Sequence, residues 1–386
     1  MTGEPASGVG GPSRPKVSVV IPTRNRKAYL AAALESVFAQ TLANVEVIVV
    51  DDGSTDGTEA SLRAHGDRLR YLRVETQGVA NARNVGMEAA TGQYIAWCDD
   101  DDLYRPFKLA AQVAVLDHRP DVGFVYSEMS GFDDAGFEEE WHLRQYHVGA
   151  YRGLAYDALF PASVALADTP VAPVLRAAGH ADWLDRRLYV GPLFEACLQR
   201  TLVFTNSILF RRELFAATGP QQRRFGHFHD YEFVLRMSRL ATAAFLDVPT
   251  YRLRYHPQQV STSLTPAGKA VTIRKQRDLL FVLEAFLRAD PDYYAAHRAD
   301  VDRQRARLHR AIAVPMLALT PATARERRRL ARRARHHLAR AAAYGVPDRR
   351  AWALSYVPKG VQLGAQAVIR GLRRIRHGAP AAAHHG

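Results

Sequence analysis

Four consecutive aspartates, Asp99-Asp100-Asp101-Asp102, are the residues of this chain best suited by type and spacing to do chemistry. Carboxylates packed side by side repel one another unless a cation sits among them. Hard divalent ions such as Mg²⁺ and Mn²⁺ take oxygen ligands and keep positions open for waters or phosphates. A solvated acidic turn is the ordinary alternative, but this run follows directly on the apolar, strand-like segment Tyr94-Ile95-Ala96-Trp97-Cys98. A second acidic cluster, Asp51-Asp52-Gly53-Ser54-Thr55-Asp56, ends the β-branched run Val45–Val50. A carboxylate there can accept from a base N–H or from ribose hydroxyls, and Gly53 permits a tight turn with positive φ. The same residues carry helix-cap chemistry. Asp52 then serves the ligand, and Ser54, Thr55 or Asp56 the cap of a helix over 56–65.

Alternating strand and helix patterns position these clusters. Val17–Ile21 reads as a buried strand ended by Pro22. Leu30, Ala33, Leu34 and Val37 recur at helical spacing within 27–40. Leu69–Val74 reads as a third strand, Val79–Ala90 as a helix closed by Gly92, and Gln93–Cys98 as a fourth strand. Strands joined by helical crossovers imply a parallel, doubly wound sheet, with ligands beyond the carboxyl ends of its strands. Topology alone then brings Thr23-Arg24-Asn25, Asp51-Asp52 and Asp99–Asp102 to one rim. Further on, Val122–Tyr126 reads as a strand, 140–200 as an irregular insertion, Leu202–Phe210 as an apolar run and Tyr231–Leu240 as a helix.

Composition bounds the classes. With 47% hydrophobic and 24% charged residues, the 386-residue chain can bury a large core and is not wholesale disordered. Two cysteines, Cys98 and Cys197, lie in no CxxC pair, which argues against a zinc ribbon or a disulfide framework and for a reducing compartment. Residues 1–15 carry no apolar signal core and read as a flexible leader, and no apolar stretch of about 18 residues suggests a spanning helix. Beyond residue 300, 19 Lys and Arg face only Asp302, Glu326 and Asp348. That surplus of 16 exceeds the whole chain's +13 and leaves the first 300 residues at −3.

Four ordered motifs together resemble those of the family 2 glycosyltransferases. They are Val17–Arg26 (VSVVIPTRNR), Glu46–Asp56 (EVIVVDDGSTD), Gly78–Asn84 (GVANARN) and Tyr94–Asp102 (YIAWCDDDD). The resemblance covers roughly residues 15–260. It implies an α/β, Rossmann-like, mostly parallel sheet flanked by helices, the GT-A fold, with a helical C-terminal extension. It also implies inverting transfer from a nucleoside-diphosphate sugar, a UDP- or dTDP-sugar being favoured, to an acceptor bearing a free hydroxyl. By that resemblance Pro22, Thr23, Asn25 and Asp52 serve the nucleotide, and Arg83 lies near it. The family's D-x-D motif maps onto Asp99-x-Asp101, with Asp101 as the leading ligand of Mg²⁺ or Mn²⁺ and Asp99 as its partner. Four aspartates leave the register open by one, so Asp100 can instead face the ribose or the sugar.

An inverting transfer needs a general base opposite the leaving diphosphate. The family places an acid at the head of a helix, and Asp230 in Phe228-His229-Asp230-Tyr231-Glu232-Phe233 matches it, with Glu232 as runner-up. A plain N-cap is the alternative for Asp230. His227 and His229, two residues apart, read as structural or acceptor-side residues rather than a metal pair. In Tyr251–Pro257, His256 matches a position near the diphosphate or metal in related enzymes, and is equally readable as a strand-end histidine.

The expected organisation is a leader over 1–15, a transferase domain over 16–265 and a basic helical region over 266–386. The domain divides into a nucleotide-sugar half over 16–118 and an acceptor half over 119–265. In the basic region, Arg325–Arg340 is arginine-dense. Val361, Ala365, Val368, Leu372 and Ile375 form an apolar stripe among arginines. That pattern suits a peripheral position on an anionic membrane, on the cytoplasmic inner face, or packing of the stripe on the domain. Nucleic-acid binding is not expected, since no known module or interleaved aromatics accompany the run. Two other classes compete with the transferase. A nucleotidyltransferase would need a glycine-rich loop after the first strand, and Pro22–Arg26 has no glycine. A non-catalytic membrane or nucleic-acid adaptor on a transferase fold is opposed by acids at every expected position.

Overall fold

The structure is a computed structural model that describes residues 15–356, apart from 152, 258, 260–267 and 320–322. The leader before Pro15 and the stripe from Val361 to Ile375 lie outside the described residues. The chain divides into two compact units, 1–260 and 261–386.

The first unit begins with β1 (Val17–Thr23), α1 (Lys27–Phe38), β2 (Val45–Asp51), α2 (Thr58–Leu62), β3 (Arg70–Arg73), α3 (Val79–Ala89) and β4 (Tyr94–Trp97). It continues with β5 (Leu103–Tyr104), α4 (Lys108–His118), β6 (Val122–Asp133), β7 (Glu138–Glu139), α5 (Leu143–Tyr146), α6 (Val148–Tyr151) and β8 (Ala162–Ala165). Then come α7 (Ala172–Ala177), β9 (Arg187–Gly191), α8 (Phe194–Gln199), β10 (Leu209–Arg211), α9 (Arg212–Thr218), α10 (His229–Leu240) and β11 (Thr242–Tyr255).

The strands form one sheet in the order β3-β2-β1-β4-β10-β6-β11-β9-β8, with β5 on β11 and β7 on β6. It is parallel through β3-β2-β1-β4 and again between β6 and β11. Strand β10 runs antiparallel to both β4 and β6. The sheet is therefore mixed, with one parallel half formed by β3-β2-β1-β4. Every residue of β1 and β4 is buried, as strands covered by helices on both faces must be. The α1 stripe Leu30, Ala33, Leu34 and Val37 is the buried face expected from its spacing. Helix α3 lies so close on β1 that a Cβ at Gly86 would come within 2.2 Å of Val20 Cγ1.

Chain order reverses at β1, whose neighbours are β2 and β4, so a crevice opens beyond their carboxyl ends. Register places Thr23 beside Asp51 and Val20 beside Trp97. The three polar clusters thus share a rim.

One local expectation is corrected, and two segments gain detail. The helix expected over 56–65 is only Thr58–Leu62, followed by a tight turn over Arg63–Arg68. Neither Ser54 nor Thr55 caps it; Asp56 Oδ1 accepts from Thr58 N, while Asp56 Oδ2 accepts from Lys27 N and so ties down the start of α1 as well. Within Leu202–Phe210 only the end is strand, because 205–207 form a turn. The irregular region 140–200 supplies β8 and β9, which extend the sheet by antiparallel pairing.

The second unit is helical: α11 (Gly268–Ala289), α12 (Pro291–Ala296), α13 (Arg298–Ala318), α14 (Ala324–Ala343) and α15 (Arg349–Leu354). Its core joins Ile273, Ile312, Ala313, Met316, Ala334, Leu338 and Ala351. A capping box starts α14: Thr323 Oγ1 accepts from Glu326 N, and the Glu326 carboxylate accepts from Thr323 N.

Candidate active site

The aspartate run turns at the end of β4, where Asp102 N donates to Asp99 O. Carboxylate oxygens of Asp99, Asp101 and Asp102 lie within 4.8 Å of one another. Asp100 is turned aside. It accepts from Thr23 Oγ1 at 2.8 Å and from Arg26 at 3.0 Å. Burial, with Asp101 alongside, pushes the Asp100 carboxyl up to about 7 against the opposing pull of Arg26. Asp101 accepts from Arg26 at 2.5 Å and contacts His256 Nε2 at 3.0 Å. Asp102 accepts from Tyr251 Oη at 2.6 Å and Arg254 N at 2.8 Å, tying β4 to β11. Burial beside Asp101 and Asp99 pushes its carboxyl well up.

Cationic and polar groups hold this crowd together. Arg83 on α3 is buried and donates to Asp99 at 2.7 Å and to Asn206 at 2.8 Å. Asn206 in turn donates to the second oxygen of Asp99. Asp99 and, after it, Asp230 are the charges that most stabilise the Arg83 guanidinium against its burial. Asp230 therefore lies within electrostatic reach of the same cation that holds the aspartate turn. It sits in the first turn of α10, half-buried, and accepts from Tyr231 N. Phe228, not Asp230, is the N-cap residue, and it makes no side-chain cap bond. Helix N-termini favour negative charge.

The other sequence candidates have the following places. Pro22 and Thr23 are buried at the end of β1. Asn25 adopts φ 53° and accepts from Thr55 N, locking the first loop to the second. Asp52 accepts from Gln77 N and Gly78 N, so its carboxylate anchors the loop before α3. Glu232 is held by Arg236 at 2.7 Å, and Arg236 also donates to the carbonyls of Thr218 and Pro220. That carboxylate is engaged in positioning a loop. His229 is buried and contacts Gln221, which agrees with a structural reading; nothing is described of the His227 side chain.

Sequence reasoning gave no role to Arg26, Tyr251 and Arg254, although all three lay inside quoted motifs. Asn206 had no local signal, because only the turn before β10 brings it to Arg83.

The donor set suits a hard divalent ion: three clustered carboxylates with His256 beside them. His256 Nδ1 is buried without a hydrogen-bond partner among the described residues.

A fully buried cation lies behind the site. Lys108 Nζ donates to Gln112 Oε1 and to Ser207 O, next to Asn206. Burial pulls its pKa from 10.5 down to about 7. Between about 7 and 10.5 the unfolded chain binds a proton that the folded chain lacks, so this group makes stability rise with pH across that window. Below 7 both forms are charged and the cost of burial is fully present. Lys108→Met is expected to flatten this dependence and to raise the denaturation midpoint most below pH 7. Urea titrations of both proteins at about pH 6, below that window, and about pH 9, within it, check this.

Comparison with known proteins places this geometry. The family model described as "Glycosyl transferase family 2" matches residues 18–163. An uncharacterized glycosyltransferase of Rickettsia bellii is 43% identical over 104 residues, 26% of this chain and 15% of that protein. The chain spans 15–32% of the length of the Rickettsia relatives it matches. Among solved structures, S. aureus TarS aligns with a TM-score of 0.51 at 17% identity, covering 88% of this chain and 50% of TarS. The mannosyltransferase PcManGT from Pyrobaculum calidifontis aligns with a TM-score of 0.50 at 20% identity, covering 92% of this chain and 81% of its own. At these identities the likeness establishes the fold alone, which is GT-A. The ordered motifs and the matched model identify residues 18–163 as a family 2 glycosyltransferase segment, set in a GT-A fold.

Proposed function

We propose that the protein is an inverting glycosyltransferase. It moves a sugar from a nucleoside-diphosphate sugar, a UDP- or dTDP-sugar being favoured, to a hydroxyl of a glycan, lipid-linked or small-molecule acceptor. The observation that carries this reading is the aspartate trio, with Arg83 bonded to its Asp99 and Asp230 within electrostatic reach of the same guanidinium. PcManGT, solved with GDP-Man and Mn²⁺, is in keeping with a nucleotide-sugar donor on this fold.

In this reading Pro22, Thr23, Asn25, Asp52 and Arg83 line or brace the nucleotide side, and Asp100 faces the ribose or the sugar. Asp101 and Asp99, with His256, would hold Mg²⁺ or Mn²⁺, which when bound supplies positive charge to the departing diphosphate. Asp230 takes the proton from the acceptor hydroxyl. That oxygen attacks the anomeric carbon from the opposite face as the bond to the diphosphate breaks, so the configuration inverts. Arg83 stays charged throughout and keeps the aspartate turn and the α10 carboxylate in fixed relation.

Thermal denaturation with nucleoside diphosphates, with Mn²⁺ or with EDTA, tests the binding half. A ligand at about 100 times its Kd stabilises by roughly 2.7 kcal/mol, and EDTA is expected to remove most of that gain. Product analysis tests the chemistry. Release of nucleoside diphosphate with an inverted anomeric centre is expected; release of pyrophosphate would identify a nucleotidyltransferase instead, and retained configuration would remove the single-displacement step.

A further inference from the structure

The second unit carries a charged face that the catalytic reading does not use. Residues 261–386 hold 25 Lys and Arg against eight Asp and Glu. On α14, Ala334, Leu338 and Ala341 form the buried stripe. At 3.6 residues per turn, Arg325, Arg328, Arg329, Arg332, Arg333 and Arg340 fall on an arc of roughly 140° opposite that stripe. All six are exposed.

The acids of this unit do not neutralise that face. Glu326 is engaged in the capping box, Asp348 pairs with Arg310 at 2.7 Å, and Glu284 pairs with Arg305 at 3.0 Å. One edge of the arc is aromatic. Arg335 donates to Ser355 O at 3.0 Å and lies 4.5 Å from the Tyr356 ring centroid. Tyr356 and Trp352 are 63% and 39% exposed, with ring centroids 6.0 Å apart. Arg349 and Arg350, both exposed, precede them on α15.

We propose that the outer face of α14, with Trp352 and Tyr356 at its edge, docks on an anionic lipid bilayer. A convex arginine arc matches a diffuse sheet of negative headgroups, and Trp and Tyr rings favour the headgroup level. The arginine stems can lie along acyl surface while their heads stay among phosphates. Duplex nucleic acid fits this face less well: the charges spread around a helix instead of lining a groove, and Arg335 covers one face of Tyr356. This surface belongs to the second unit and does not rest on the reading of the aspartate site.

The test is co-sedimentation of the full chain with phosphatidylcholine vesicles, with and without phosphatidylglycerol. Binding is expected only with phosphatidylglycerol and is expected to weaken with salt. Each basic residue near such a surface contributes about fivefold, so replacing Arg328, Arg329, Arg332 and Arg333 by Gln should lower partitioning on the order of 100-fold or more. Gln keeps the helix propensity of these exposed sites. Trp352 is the most exposed of the four tryptophans, so binding should blue-shift the emission, and Trp352→Phe should remove the shift. Equal binding to pure phosphatidylcholine, undiminished binding of the fourfold variant, or tighter binding to duplex DNA than to the anionic vesicles would each overturn the proposal. Should the fourfold variant misfold, the wild-type emission decides: no blue shift on anionic vesicles overturns it.

Discussion

Asp230→Asn is expected to lower kcat by roughly 10²–10⁴-fold while leaving the donor's KM within a few-fold. Asn has the size and shape of Asp, and its carbonyl can still accept from Tyr231 N, so the first turn of α10 keeps its geometry. What it loses is the ability to take a proton. It also loses one of the two carboxylates that stabilise the buried Arg83, but Asp99 and Asn206 still accept from that guanidinium. The fold should therefore survive, and unchanged far-UV circular dichroism should accompany the loss. Steady-state kinetics with saturating donor separates the outcomes. Near-normal turnover would remove Asp230 as the base. Because Glu232 is bound to Arg236, Glu232→Gln is expected to act through stability and loop position, with thermal denaturation shifting before kcat does.

Asp101→Ala is expected to cost on the order of 10³-fold in metal-supported turnover, since it removes a charge aimed at where the transition state needs its counter-ion. Asp101 is the aspartate that both Arg26 and His256 contact. Its loss leaves Arg26 with Asp100 and leaves His256 Nε2 unmatched. The same change relieves repulsion with Asp100 and Asp102, whose carboxyls Asp101 pushes up. Those effects oppose each other, so the change in stability should be small beside the change in Mn²⁺ affinity. Calorimetric titration of Mn²⁺ into the UDP-saturated protein reads that affinity directly. Equal Mn²⁺ affinity in wild type and variant would move the ligand role elsewhere in the run, with Asp102 as the next candidate. Asp102→Asn is the useful contrast, because that side chain braces Tyr251 and Arg254.

Much of the parallel half of the sheet was legible in the sequence. Strands β1, β2 and β4 announce themselves as β-branched or aromatic runs that stop at polar residues. The α1 stripe fell on the four residues its spacing indicated. A parallel crossover sheet can bring its strand ends to only one rim, so the convergence of Thr23, Asp51 and Asp99 followed from topology. Of the three cap candidates for α2, Ser54 and Thr55 bond the Asn25 loop instead, Ser54 Oγ accepting from Asn25 N and Thr55 N donating to Asn25 Oδ1, while Asp56 accepts from Thr58 N. A local cap signal competes with partners 29 or 30 residues away, and the local window does not contain them.

Residue type and order determined the acidic run, its place after a buried strand and the presence of an acid at the head of α10. The tertiary structure alone decided how those acids divide their work. Asp100 turns to Thr23 and Arg26, while Asp99, Asp101 and Asp102 converge. Asp99 binds Arg83, Asp230 acts on the same guanidinium through its charge, and Asn206, more than a hundred residues from either Arg83 or Asp99, bonds both of those. The reason is physical. Four like charges cannot be crowded together without cations and donors, and those partners come from the end of β1 and the loop after it, from α3, from β11 and from the turn before β10. Their separation along the chain leaves no trace in local spacing, so only the folded sheet could assign each carboxylate its neighbour.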